Sequence, residues 1–156
     1  MFRVEMNEAY VALLGKAIFI FAYLESVLID VGDCLEPGFK SRYARGKPMT
    51  SGAVATELRA LVGRQAALDA GYLAELKVAV EAFAALVPHR NALIHAHPYT
   101  APGGRQELAY QSEPARALTD VVWPQGDIEA FALRADALAV SVNGLLYSPH
   151  APSKGP

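Results

Sequence analysis

Between Asn7 and Leu35 the apolar residues fall on two neighbouring helical stripes, not one. Val11, Leu14, Ile18, Phe21 and Leu28 make the first, and Leu13, Ala17, Ile20, Leu24, Val27 and Val31 the second. A helix on the surface of a globular protein needs a single stripe facing its core. Two stripes require cover on two sides, so the segment is predicted to be a central bundle helix or one that also meets a second subunit. Its most apolar run, Val11 to Leu24, contains Lys16 and is followed by Glu25 and Asp30. That run is shorter than the ~20 residues of a membrane span, so a buried helix and no membrane contact are expected. Glu25 interrupts the first stripe and has two readings. It is either a partly exposed residue at the helix edge or a buried acid paired with a cation such as Arg90.

The remaining periodicity supplies three more helices. Glu36-Pro37-Gly38 stops the first. Thr50 or Ser51 can cap a second over about Gly52 to Leu68, and Asp69 or Ala70 stands at the start of a third, about Tyr72 to Ala96. Leu73, Leu76, Val80, Phe83 and Val87 form the stripe of that third helix, and Pro88 is expected to kink it. From His97 to Gln125 prolines and glycines break the pattern. Within that stretch Gln106 to Ser112 alternates, and Thr119 to Trp123 is β-branched and aromatic, which fits two short strands or an extended arm. Ile128, Phe131, Ala135, Leu138, Val142 and Leu145 then mark a fourth helix over about Asp127 to Tyr147. The expected fold class is all-α: a four-helix up-down bundle with a β-hairpin-like arm between the third and fourth helices. Residues 1–148 are expected to form one domain, with 149–156 a flexible tail.

Composition limits the function classes. The 156 residues are 53% hydrophobic and 19% charged, with a net charge of −2. Such a chain is too apolar for disorder and has no overall attraction to nucleic acid. RNA contact would need a local basic patch, and one cluster qualifies: Lys40, Arg42, Tyr43, Arg45 and Lys47. A solvated charged loop is the other reading of that cluster. The single Cys34 cannot form an internal disulfide, which points to a reducing cytoplasm. The first eight residues carry acids and no small-residue cleavage site, so they do not read as a signal peptide.

The chemistry concentrates in one place. Val87 to Pro98 puts Arg90, Asn91 and the imidazoles of His89, His95 and His97 at the end of an otherwise aliphatic helix. Asn91 and His95 are four apart and share a face, and the long Arg90 side chain can reach toward the same His. These residue types suit metal-independent RNA cleavage. Histidine can take a proton from the 2′-hydroxyl or give one to the leaving 5′-oxygen. The planar guanidinium matches the oxygens of a phosphorane. Asn91 can hold the substrate or fix the tautomer of the His ring. A plainer reading pairs Arg90 with Glu25 or Glu81 and makes His95 a helix C-cap. His95-Ala96-His97 is a poor metal pair, because the two rings leave a helix on different faces and no carboxylate or thiolate is near in sequence. No metal or other cofactor is expected. His89 and His150 read as surface residues, and Cys34 as inert packing.

Arg90-Asn91-Ala92-Leu93-Ile94-His95 resembles the motif of HEPN domains: an Arg, a polar residue, three variable positions and a His. The run Phe21-Ala22-Tyr23-Leu24-Glu25 is also similar to HEPN first helices. The chain departs from many members in having His89 before the Arg and Ala96 after the His. The resemblance implies a small helical domain that forms a homodimer around the motif and cleaves RNA without metal. Arg90, Asn91 and His95 would be catalytic, Lys40, Arg42, Arg45, Lys47 and His97 would contact RNA, and Glu25 would support the site. It also implies, for toxin members, restraint by an antitoxin protein. The alternative within the same family is an inactive dimer that binds RNA, a nucleotide or a protein partner.

Overall fold

The computed structural model describes residues 7–44, 49–111 and 121–152. The chain is mostly helical. The order is α1 (Glu8–Leu35), α2 (Phe39–Ala44), α3 (Ser51–Gly63), α4 (Ala70–Ile94), β1 (His97–Thr100), β2 (Gln106–Tyr110), β3 (Val121–Trp123) and α5 (Gln125–Leu146). Capping side chains start three of the long helices, and Thr50 is one of the two caps expected for its helix. Asn7 Oδ1 accepts from the Tyr10 amide (3.1 Å), Thr50 Oγ1 from Ala53 (3.2 Å) and Asp69 Oδ1 from Tyr72 (2.9 Å). Pro88 lies inside α4, which continues past it to Ile94.

The helices do not alternate in the expected up-down order. Gly32 of α1 meets Leu58 of α3, and Glu36 just beyond α1 pairs with Arg64 just beyond α3, so these two helices run the same way. Arg59 of α3 pairs with Glu81 of α4, and Gly52 meets Val87, so α3 and α4 are antiparallel. Tyr10 approaches Trp123 and Tyr23 approaches Asn143, which makes α5 parallel to α1. Instead of the predicted loop, residues 39–44 form the short helix α2 after α1. Gly38 (φ +93°) makes the turn in a left-handed conformation that glycine tolerates best. Asp33 Oδ1 accepts from the amides of Gly38 and Lys40, fixing the start of α2.

The arm holds three antiparallel strands in the order β1-β2-β3, one more than predicted. Leu108 stands opposite Pro98 on one side and Trp123 on the other. Pro98 hid β1 from a sequence reading, yet proline is tolerated on an edge strand such as this one. Tyr10 pins the sheet to α1: its hydroxyl donates to the Trp123 carbonyl (2.7 Å) and accepts from the Leu108 amide (3.0 Å).

At the centre Phe21 of α1 stacks on Phe83 of α4 (centroids 5.5 Å apart) and Phe131 of α5 (6.0 Å). All three are fully buried. Trp123 meets Phe131 edge-on and in turn receives His89. His89 is thus half-buried against the sheet, not a surface residue as expected. Burial, and next the charge of Arg134, lowers its imidazole below the ordinary value. Beyond α5, Ala151 donates to the Ser148 carbonyl and packs on the core. Residues 153–156 lie outside the described set. Helix α1 is 28 residues long, and by length and composition alone it could cross a membrane, contrary to the shorter run counted from sequence. A third of its most apolar window is buried inside the fold.

Candidate catalytic cleft

Helix α4 ends over Phe21. Ala92 and Leu93 bury themselves in the core, and this fixes the rotation of the last turn. Arg90 and Asn91 then come out half-buried at the rim, and His95, the C-cap residue, is exposed. The Arg90 guanidinium carbon lies 5.7 Å from the Phe21 ring centroid, a cation–π contact that holds the long side chain in place. Arg90 Nη1 donates to Asn91 Oδ1 (3.1 Å). The aromatic stack is therefore the floor on which the guanidinium rests.

Arg90, Asn91 and His95 line one cleft of about 300 Å3. Its other walls come from Glu25 of α1, Tyr43 of α2, Tyr110 of β2 and the segment Met49 to Ser51. Two other clefts of similar volume, about 310 and 260 Å3, are lined by no histidine. Of these three clefts, only the motif cleft combines an imidazole with a guanidinium in this way.

Glu25 is only 9% exposed, so the partly exposed reading does not hold. Nor does an ion pair neutralise it: among the described residues no carboxylate pairs with Arg90, and Glu25 Oε1 has no hydrogen-bond partner. Glu81 is engaged elsewhere, by Arg59 of α3. Tyr43 reports the local field. Its phenol is pushed up first by burial and then by the charge of Glu25, while Arg90 opposes both. It remains a neutral hydroxyl at physiological pH, able to donate and accept.

Asn91 does not orient His95 through a side-chain bond. Its amide oxygen is taken by Arg90, and its backbone carbonyl accepts the His95 amide (3.1 Å). Asn91 thus positions the guanidinium, and its amino group, on a side chain that lines the cleft, has no side-chain partner among the described residues. The His95 ring likewise has no protein hydrogen bond among the described residues.

Two of the four cations of the basic cluster, Lys40 and Arg42, lie among the described residues. Lys40 pairs with Asp30 (2.6 Å), and Arg42 pairs with Glu36 (2.5 Å) and lies over Phe39. The acids of the α1 C-terminus neutralise both. Arg45 and Lys47 lie outside the described residues. His97 opens β1, exposed and paired with Ala109, and does not line the cleft.

No protein-family model matches the chain, and no curated protein or solved structure is significantly similar to it. The chemistry of the cleft therefore rests on its own residues. A guanidinium, an exposed imidazole and an amide donor at one mouth can bind a phosphate oxygen, move a proton and hold a second oxygen. Tyr43 and Tyr110 add aromatic walls. Tyr43 was noted in the sequence only as part of a charge run, and Tyr110 only as a strand residue. Neither is near the motif in sequence.

Proposed function

We propose that this protein is a metal-independent endoribonuclease of HEPN type, restrained in the cytoplasm by an antitoxin-like partner protein. The observation that carries the reading is the shared cleft of Arg90, Asn91 and His95. RNA cleavage by 2′-hydroxyl attack needs a proton acceptor at the nucleophile, a donor at the leaving oxygen and positive charge at the phosphorane. His95 serves one of the two proton transfers. Its exposure supports this, because a substrate can reach the ring. Arg90 stabilises the phosphorane, and Asn91 holds Arg90 while offering its own amino group to a non-bridging oxygen. The second proton transfer falls to water, to the Tyr43 hydroxyl or to a second His95 brought by a paired copy.

Incubating the protein with single-stranded RNA in excess chelator tests this. Cleavage that His95→Ala and Arg90→Ala abolish supports the assignment. Cleavage that neither variant changes removes it. Salt-dependent RNA binding without cleavage would favour the inactive binding module.

A further inference from the structure

We propose that the floor of the motif cleft is a base-recognition subsite for guanine. A buried carboxylate oxygen without a partner is costly, and native structures rarely keep one unless a ligand or water completes it. Glu25 is such a group: its Oε1 is buried without a partner, and the residue lines the same cavity as Tyr43, Arg90 and Tyr110. An ionised carboxylate is an acceptor only, with two oxygens set for paired donors. Among the four RNA bases, guanine presents two adjacent donors, N1–H and the N2 amino group, on its Watson–Crick edge. Uracil sets a single N–H between two carbonyl oxygens, which a carboxylate repels. Adenine and cytosine offer one amino group beside an acceptor nitrogen. Unstacked RNA bases are commonly held against aromatic rings and read on this edge, and Tyr43 and Tyr110 supply the rings. The cavity volume, about 300 Å3, is at the small end of ligand sites and suits one nucleotide. The phosphate of that nucleotide meets Arg90 at the mouth while its base meets Glu25 at the floor. This subsite rests on the ribonuclease reading for the fate of the phosphate but not for recognition of the base.

The test is calorimetric titration of the intact protein with guanosine 3′-monophosphate and uridine 3′-monophosphate. The guanosine nucleotide is expected to bind about tenfold or more tighter, in line with the discrimination given by a bidentate base contact. Glu25→Gln, checked for folding by circular dichroism, should erase the difference, and Arg90→Ala should weaken both nucleotides alike. Equal affinities, no binding of either nucleotide, or a preference that survives Glu25→Gln each overturns the proposal. RNA cleavage is scored separately. A protein that cuts RNA without the guanine preference keeps the nuclease and loses the subsite. One that prefers guanosine and never cuts does the reverse.

Discussion

The guanidinium of Arg90 rests on the ring of Phe21, 5.7 Å from its centroid, and donates to Asn91 beside it. One face of the charge is thereby fixed by the core and the other is left toward the cleft. Arg90→Ala should lower cleavage by about 10²–10³-fold, the loss seen on removing one oxyanion donor. The melting temperature should stay close to that of the wild type, because the side chain is half-exposed. Arg90→Lys keeps the charge and loses the fork, so its cleavage rate should fall well below wild type. Rate constants and thermal melts on the same preparations check both.

Tyr10 holds the sheet to the first helix with one hydroxyl that donates to Trp123 and accepts from Leu108. Tyr10→Phe leaves a buried carbonyl and a buried amide without their partner. It should destabilise the protein by about 1–3 kcal/mol in urea titrations. Amide exchange at Leu108 should rise more than at core positions of α4.

Gly32 lets the Phe39 ring of α2 close on α1. A Cβ there would stand 2.7 Å from the ring and 3.1 Å from Leu58. Gly32→Ala should cost about 1–3 kcal/mol through overpacking, despite the better helix propensity of alanine. The loss should appear in denaturant titrations together with a change in Tyr43 fluorescence, because α2 carries that residue into the cleft.

Much of this architecture is legible from residue order. Of Thr50 or Ser51 it is Thr50 that caps its helix, and of Asp69 or Ala70 at the start of the next it is Asp69; the doubled stripe of α1 marks a helix covered on more than one side. Both stripes face the core: Ala17, Leu24, Val27 and Val31 of one and Phe21 and Leu28 of the other are buried, and Leu13, Leu14, Ile18 and Ile20 pack against them. Helix α2 was not legible. Its charge run reads as a loop, and what orders it is the seat that Gly32 and Leu58 make for Phe39, a tertiary contact. The pairing of Lys40 and Arg42 had a visible signal in the acids Asp30, on the last turns of α1, and Glu36, just beyond it. At the site, the spacing of Arg90, Asn91 and His95 was readable. The burial of Glu25 and the arrival of Tyr43 and Tyr110 depend on how α1, α2 and β2 pack, and no local pattern encodes that.

His89 gives a pH test that is independent of function. Burial against Trp123 lowers its imidazole below the value of about 6.5 it has when unfolded. The unfolded chain therefore binds a proton more readily. The stability linked to this group is fully present above the unfolded value and is lost as pH falls toward the folded one. Melting temperature should drop between about pH 7 and pH 5. His89→Leu should flatten that part of the curve, as scanning calorimetry at fixed ionic strength would measure.

The central claim is that His95 and Arg90 drive attack by the 2′-hydroxyl on its own phosphate. The most direct measurement is the chemistry of the cut ends, read by mass spectrometry after digestion of RNA in excess chelator. Fragments ending in 2′,3′-cyclic phosphate and beginning with 5′-hydroxyl, formed by the wild type and at least about 10²-fold more slowly by His95→Ala, are the predicted result. Intact RNA, fragments beginning with 5′-phosphate, or the same cyclic ends at an unchanged rate from His95→Ala would contradict it.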